Sequence, residues 1–252
     1  LVKVSNDPSL GRRTLATVKD VQVETMHLFP LLRGQGVAPF KATPDPTYRA
    51  LVPQRGMHGD PDLPATAPRT YRYLRRFQAT LEVRSSYKRF QRRQPWWSLW
   101  STGAYTFAPY KVVWQEMSGN RFAAAYVGSY EDPVLGERVV VPDHKVYFVP
   151  MNTEDEAAFL TGFLNAPLVA SAVASYSAAL SLGTSVVEYL RIPAYDPTNA
   201  DHQTIVATSR ALSSAAASHL AAAELEKLST AIASMFDIPN SVLDALTHVP
   251  AD

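Results

Sequence analysis

The segment QPWWSLWSTGAYTFAPYKVVW, residues 94–114, marks a change in the chain from helical to extended patterning. It contains all four tryptophans of the protein, and an arginine-rich stretch comes directly before it. After Pro95 the apolar residues follow a period of two, and β-branched and aromatic residues become frequent. Because alternate residues of a strand face opposite sides of a sheet, this pattern predicts that a β-sheet begins here.

Later segments of the chain have the same composition and spacing. The predicted strands lie in AYTFAPYKVVWQE (104–116), NRFAAAYVG (120–128), ERVVVP (137–142) and HKVYFVP (144–150). Ser118, Gly119 and Asn120 are turn-forming residues, and they predict a hairpin between the first two of these strands. The middle of the chain is therefore expected to form an antiparallel sheet.

A helix is predicted immediately before the sheet. In ATAPRTYRYLRRFQATLEVRSSYKRF (65–90), the apolar residues Leu74, Phe77 and Leu81 recur at helical spacing. Thr66 is the expected N-cap, and the proline two residues later suits the first turn. The arginines of this segment then occupy the other faces of the helix.

Helices are predicted again after the sheet. Thr153 and Glu156 have the spacing of a capping box, as do Ser185 and Glu188. The stretch 201–236 is alanine-rich and carries leucine, isoleucine and methionine at intervals of three and four residues. This spacing predicts a helix or helical hairpin that packs on another element.

Together these patterns predict an α+β fold, in which an antiparallel β-sheet is flanked by helices and followed by a helical C-terminal part. We expect a mixed α/β region over 1–152 and a helical region over 153–252 that packs on it, or one continuous domain. A chain of 252 residues with 46% hydrophobic residues is able to bury a substantial core.

The composition excludes several classes of protein. There is no cysteine, so disulfides and cysteine-based zinc sites are excluded. No apolar run is long enough to span a bilayer and no signal peptide is recognisable, so we expect a cytoplasmic protein with no membrane partner. The first residue is Leu1 rather than Met, and we expect a piece of a longer protein.

Basic charge is concentrated in one region, although the net charge is only +1. Between residues 69 and 93, Glu82 is the single acidic residue. The basic residues of this region are Arg69, Arg72, Arg75, Arg76, Arg84, Lys88, Arg89, Arg92 and Arg93. Such a cluster is typical of a site for a polyanion.

Sequence motifs for common enzyme chemistry are missing. There is no Walker phosphate loop, no Gly-x-Gly-x-x-Gly after a strand and no Gly-x-Ser-x-Gly nucleophile elbow. The histidines have no partner at a metal-ligand spacing, so no metal is expected. They are His27, His58, His144, His202, His219 and His248.

A metal-dependent nuclease is the alternative of a different class. Asp143 and Lys145 lie two residues apart, as in many such nucleases, and Asp132 and Glu137 are upstream carboxylates. Asp143, however, follows a proline and precedes a predicted strand, which is typical of a turn residue.

The aromatic and basic residues also have purely structural interpretations. Trp96, Trp97 and Trp100 are large enough to form the core beneath the sheet. Lys111, between Tyr110 and Val112, is expected to face outward from its strand. Adjacency favours nucleic acid instead, because cations neutralise phosphates while neighbouring aromatic and polar side chains meet bases.

Several segments, in order, resemble the C-terminal target-recognition domain of adenine-specific (N6) DNA methyltransferases, including fused restriction-modification enzymes of type II and IIG-like organisation. The segments that carry the resemblance are VETMHLFPLLRGQGVAPF (23–40), YLRRFQATLEVRSSYKRF (73–90), PWWSLWSTGAYTFAPYKVVWQEMS (95–118), FLTGFLNAPLVASAVASYS (159–177), EYLRIPAYDP (188–197) and LSTAIASMFDIPNSVLDAL (228–246). They are spread over nearly the whole chain, from residue 23 to residue 246.

The resemblance implies a module that recognises a sequence in double-stranded DNA and positions the target adenine. The family's glycine-rich methyl-donor loop and its Asn- or Asp-Pro-Pro-aromatic motif are missing, and NAPL (165–168) lacks the second proline and the aromatic. It follows that this chain alone is expected not to be an enzyme. S-adenosylmethionine is expected in a missing catalytic domain, and magnesium only if a nuclease domain is attached.

The partners implied are double-stranded DNA and a methyltransferase domain, with or without an endonuclease domain, linked or separate, in a bacterial protein. The expected DNA-backbone contacts are Arg33, Arg69, Arg72, Arg75, Arg76, Arg84, Lys88, Arg89, Arg92 and Lys111. The expected base-reading residues are Arg93, Gln94, Trp97, Tyr105, Asn120, Arg121 and Arg138. An alternative within the binding class is a DNA-specificity module that works with separate subunits, which the alanine-rich helix favours.

Overall fold

A computed structural model describes residues 1–11, 14–116, 122–177, 187, 189–214 and 222–247 of the chain. Helices and strands are both well represented, and nearly all of the strand pairs are antiparallel. The predicted α+β fold class is therefore confirmed. The strands are distributed over several small sheets.

The strands are short, and most of them pair with a neighbour in sequence. In chain order they are β1 Val2–Val4, β2 Val21–Val23, β3 Leu28–Leu32, β4 Val37–Ala38, β5 Lys41–Ala42, β6 Arg49–Leu51, β7 Gln54–Arg55, β8 His58–Gly59, β9 Tyr110–Gln115, β10 Ala124–Val127, β11 Ser129–Asp132, β12 Gly136–Val139, β13 Val141–Pro142 and β14 Val146–Met151.

The helices fall in two groups, before and after the central strands. They are α1 Leu63–Thr66, α2 Pro68–Arg75, α3 Gln78–Glu82, α4 Glu154–Asn165, α5 Pro167–Ser177, α6 Ala200–Ser214, α7 Ala222–Met235 and α8 Asn240–Thr247. A π-helical turn covers Tyr87–Gln91, and 3-10 turns cover Pro8–Leu10, Thr25–His27, Gly34–Gly36 and Ala104–Phe107.

The chain groups into two compact units, each assembled from separate segments. The first comprises Leu1–Pro30, Thr47–Phe107 and Tyr130–Arg138, and the second comprises Leu31–Pro46, Ala108–Ser129 and Val139–Asp252. The division at residue 152 that the sequence suggested stays a prediction.

In the first unit, helix α2 packs on the β1–β2 ribbon, in which Val2 is paired with Val23. The core between them contains Val23, Leu28 and Tyr73, and the ring of Phe77 meets that of Tyr73 with centroids 5.4 Å apart. Burial of these apolar side chains is what holds the helix, because α2 is too short to be stable alone.

The expectation of one continuous helix over 65–90 is wrong. α1, α2, α3 and the π-helical turn are separate pieces, and Ala67, not Thr66, occupies the N-cap of α2. The breaks coincide with long-range contacts: Phe77 turns into the core, and the Arg84 guanidinium donates to the carbonyls of Leu81, Trp96 and Ser98. Helical spacing alone does not show such contacts.

In the second unit, β9 lies at the centre of a sheet with order β10-β9-β14. Val113 of β9 pairs with Ala125 on one side and Phe148 on the other, both antiparallel. The segment ERVVVP does not join this sheet: β12 pairs with β11, and β13 pairs in parallel with Leu31 and Leu32. Of the four predicted strands, three form the expected sheet.

Helix α4 covers this sheet and begins as the sequence predicted. Thr153 accepts from the Glu156 amide, and the Glu156 carboxylate accepts from the Thr153 amide, so the capping box is confirmed. On the other face of α4, a Cβ at Gly162 would lie 2.8 Å from Ile205 Cγ2, so only glycine allows α6 to approach so closely. The second predicted capping box, Ser185 with Glu188, lies outside the described residues.

The C-terminal helices bury their apolar residues within the second unit. Leu228 and Ile232 of α7 are buried, and Leu225 and Met235 pack against the same cluster as α4 and α5. Among the described helices, no single one is long and apolar enough to cross a membrane. The helical stretches 154–165 and 167–173 are long and apolar enough only when they are taken together, and the chain bends by 65° between them.

Candidate nucleic-acid interface

A carboxylate from a distant part of the first unit caps helix α2. The Glu24 carboxylate accepts hydrogen bonds from the amides of Arg69 and Thr70 and from the Thr70 hydroxyl. Burial opposes its charge, but these hydrogen bonds, led by that from the Thr70 hydroxyl, hold the pKa of Glu24 below its usual value. Because the helix N-terminus is closed by this carboxylate, the positive groups here are side chains rather than free amides.

Three arginines of α2 and the turn after it surround a cavity of about 260 Å³ in the first unit. Its lining residues are Val21, Gln22, Arg69, Arg72, Tyr73 and Arg76. Arg69 donates to the Gln22 side chain. The arginines converge because positions three and four residues apart lie on one helix face.

A second group of cations follows on the π-helical turn and just beyond it. Lys88, Arg89, Arg92 and Arg93 are all exposed. The buried Gln91 beside them donates its amide to the carbonyls of Met57 and Leu99. The buried Gln91 side chain therefore anchors this turn to the rest of the unit, while the cations of the turn face solvent.

Most of the cations of both groups have no acidic partner. Glu82 is the acidic residue of the region, and its carboxylate accepts from Gln78. Within the described parts of the chain, no ion pair or side-chain hydrogen bond involves Arg72, Arg75, Arg76, Lys88, Arg89, Arg92 or Arg93. Arg75 and Arg89 lie instead over the rings of Tyr71 and Phe90. A polyanion can pair with this surface without breaking internal bonds.

Arg84, predicted to contact the DNA backbone, has a structural role. Its guanidinium donates to carbonyls of Leu81, Trp96 and Ser98 at 2.9–3.0 Å, and burial lowers its pKa. These bonds tie the helical segment to the loop that carries the tryptophans. They engage the Nε and Nη2 donors of the guanidinium.

The tryptophans divide between core and surface. Trp97, predicted to read bases, is only 8% exposed, lies against Leu63 and Ala67, and donates its indole N–H to the Asp60 carbonyl. That prediction is wrong for Trp97, because neither its ring faces nor its donor is available. Trp100 instead is 49% exposed.

Lys111 is buried at the centre of the β10-β9-β14 sheet, with 1% of its surface exposed. Its ammonium donates to the Ala108 carbonyl at 2.8 Å, and burial lowers its pKa to about 8. The expectation that Lys111 faces outward and meets a phosphate is wrong. Alternation along a strand indicates which residues share a face, but it does not show whether that face is covered.

Lys111→Met is expected to stabilise the protein by about 1–3 kcal/mol at neutral pH without changing affinity for DNA. Folded Lys111 loses its proton near pH 8, whereas its ordinary pKa is 10.5. The folded state therefore binds fewer protons between these values, so the penalty is complete below pH 8 and is relieved as pH rises. Urea unfolding from pH 7 to 10 should show the advantage of the methionine variant shrinking. Lys145→Met, which removes an exposed lysine, is the control and should show no such trend.

Three further residues that were predicted to contact DNA differ in their surroundings. Arg33 forms an ion pair with Asp45 at 3.5 Å, and Arg138 donates to the carbonyl of Glu137. Gln94 is half-buried. The Tyr87 hydroxyl donates to its backbone carbonyl, and this bond does not involve the Gln94 side chain.

Tyr105 is also half-buried, and it packs against Gly103: a Cβ there would lie 2.9 Å from the tyrosine ring. Two other candidate base-reading residues, Asn120 and Arg121, lie outside the described residues, as does the predicted hairpin turn that contains Asn120. The roles of all these residues in DNA reading stay predictions.

The residues of the nuclease alternative have other partners. The Asp143 carboxylate accepts from the amide of Lys145 in a turn, and the Lys145 ammonium pairs with Glu116 at 2.9 Å. Asp132 forms a buried ion pair with Arg49. In the part of the chain that the structure describes, no three acidic or histidine side chains are grouped as a metal site would require.

Asn165, the asparagine of NAPL, is bound to its own unit. Its side-chain oxygen accepts from the Ala124 amide at 3.0 Å, and its nitrogen donates to the Ala124 carbonyl at 2.6 Å. The amide thus extends strand β10 and joins α4 to the sheet.

The chain is similar to the type II methyltransferase M.NspV of Nostoc sp.. The two are 28% identical over 150 residues, which are 59% of this chain and 29% of the relative. The matched part is therefore less than a third of that protein's length. No protein-family model matches the chain. The similarity supports a methyltransferase-related region, which is the coarse part of the resemblance seen in the sequence motifs.

The expectation that this chain alone is not an enzyme is wrong. It was inferred from missing motifs, and the similarity relates 150 residues of the chain to a methyltransferase. A missing motif does not demonstrate a missing activity.

Proposed function

We propose that the chain recognises a specific sequence in double-stranded DNA, as the target-recognition part of an adenine-specific methyltransferase of a restriction-modification system. The observation that carries the proposal is the set of seven exposed cations between Arg72 and Arg93, for which the described residues provide no ion pair and no side-chain hydrogen bond. The order of the family-like motifs and the similarity to a type II methyltransferase support the same role.

The two groups of cations have different tasks in this proposal. Arg69, Arg72 and Arg76 around the cavity hold phosphates, since they converge on one side of α2. Arg93, the last cation of the second group, carries forked donors, and Gln94 after it carries an amide; these are the side chains that best distinguish base edges in the major groove. Phosphate contacts give orientation and affinity, and base contacts give the sequence preference.

The role implies further partners. The module places one adenine within reach of the methyl-transfer site, for which S-adenosylmethionine is the methyl donor. The methyltransferase region, and any endonuclease region that requires magnesium, is linked to the module or associates with it. The setting we propose is the bacterial cytoplasm, where restriction-modification enzymes meet their DNA.

The proposal is tested by selection from a library of randomised duplexes with the purified chain at about 50 mM and about 200 mM salt. A short enriched motif is expected, together with a loss of affinity of roughly 100-fold between the two salts, as for about four phosphate contacts. Salt-sensitive binding without an enriched motif would contradict sequence recognition. Absence of binding at the lower salt would contradict DNA binding by this surface altogether.

A further inference from the structure

Phe90 and Trp100 form a stacked aromatic pair on the surface of the first unit. Their ring centroids are 3.9 Å apart and their planes differ by 18°. Phe90 is 51% exposed and Trp100 is 49% exposed. Since each ring covers one face of the other, this exposure leaves outer ring surface in contact with water, which is costly for side chains of this size.

Two glutamine side chains, the buried Gln91 and the half-buried Gln54, bind the chain beside the pair. Gln91, next to Phe90, donates to the Leu99 carbonyl at 2.9 Å. Gln54 accepts from the Leu99 amide at 3.0 Å and donates to its carbonyl at 3.2 Å. Ser101, after Trp100, has a φ of 58°, a left-handed conformation that serine rarely adopts. The chain beside each ring is therefore tied into the unit, at Gln91 next to Phe90 and at Leu99 next to Trp100.

Positive charge adjoins the stack on the Phe90 side. The Arg89 guanidinium lies 5.6 Å from the Phe90 ring centroid, and Lys88, Arg92 and Arg93 are exposed nearby in sequence with no acidic partner among the described residues. Flat rings among cations match a ligand that presents flat rings on an anionic backbone. The bases of an intact duplex have both faces covered by their neighbours, so an unpaired base is the ligand that offers a free face.

We propose that the Phe90–Trp100 stack binds an unpaired nucleobase of a DNA strand, with the adjacent cations holding the phosphates on either side. The inference rests on the proposed function and specifies the form of DNA that this surface takes. The stack then favours DNA in which one base has left the helix, because the protein provides the stacking that the base has lost.

The test compares an intact duplex with the same duplex carrying a single unpaired 2-aminopurine, whose fluorescence is quenched when it stacks. Wild-type chain is expected to bind the second duplex about 10-fold more tightly and to quench its fluorescence. Trp100→Ala is expected to abolish this preference, so that the ratio of the two affinities is about 1, and to leave affinity for the intact duplex unchanged. Trp100→Phe, which keeps a flat ring, should retain part of the preference and of the quenching.

Phe90→Leu is a second variant. It keeps an apolar side chain but removes the ring that stacks on Trp100, so it should also reduce the preference for the unpaired base. Val83→Ala, which shortens another exposed apolar side chain of the same unit, is the matched control and should change neither quantity. Equal affinity of the wild type for both duplexes would overturn the inference and leave the proposed function standing. Failure to bind either duplex would overturn both.

Discussion

Replacing Arg72, Arg75 and Arg76 together by alanine is expected to weaken binding to every duplex sequence by roughly 100- to 500-fold at about 0.1 M salt. The three side chains are exposed, and within the described residues they have no acidic partner, so alanine removes phosphate contacts without leaving a carboxylate unpaired. Each lost contact flattens the slope of log affinity against log salt by about 0.9, so the slope should change by about 2.7. Fluorescence anisotropy with a labelled duplex over a salt series measures both quantities.

The matched control removes the same charge from the second unit. Arg191→Ala, Arg210→Ala and Lys227→Ala together lower the net charge equally, and Arg210 and Lys227 already pair with carboxylates. This variant is expected to change affinity by less than about 10-fold, because only the long-range field is altered. If the salt slope of the first variant equals that of the wild type, the arginines of α2 do not contact phosphates.

The elements that the sequence predicted well are those determined by local contacts. The capping box of Thr153 and Glu156 involves residues three apart, and it forms as expected. Strands β9 and β14 form where the β-favouring residues predicted them, although β9 is buried on both faces from Lys111 to Trp114. Helix α2, in contrast, is capped by Glu24 from more than forty residues away. No local pattern contains that information.

The candidate site was predictable as a charged region but not residue by residue. Nine cations against one carboxylate are evident in the sequence. Whether Arg84, Trp97 and Trp100 are buried or exposed depends instead on the path of the loop that carries the tryptophans. That path is set by hydrogen bonds from Gln54 and Gln91 to Leu99. The sequence signal for the surface stack is Phe90 within a basic stretch, where an aromatic residue has little core to fill.

Asp132→Ala is expected to lower the free energy of unfolding of the first unit by about 3–5 kcal/mol. The carboxylate pairs with the Arg49 guanidinium at 2.5 Å and also accepts from the amides of Val134 and Leu135. Alanine leaves a largely buried guanidinium and two amides without these partners. Urea unfolding monitored by tryptophan fluorescence measures the loss, since the tryptophans Trp96, Trp97 and Trp100 belong to the first unit.

The same chain offers an exposed pair as the control. Arg55 and Asp62 are 2.8 Å apart but both more than half exposed, so Asp62→Ala should cost less than about 1 kcal/mol. Burial opposes the charge of Asp132, yet the Val134 and Leu135 amides and Arg49 hold its pKa below the usual value. Its contribution is therefore present above the unfolded pKa of about 3.9 and is lost as pH falls through the lower folded value.

Replacing both members of the buried pair separates the cost of breaking it from its net contribution. Arg49→Met with Asp132→Leu is expected to cost less than Asp132→Ala alone, because no charge is then left buried without a partner. A cost for Asp132→Ala no larger than that for Asp62→Ala would show that the pair does not stabilise the first unit. The unit that presents the cations would then depend on its small apolar cores alone, around Tyr73 and around Trp97.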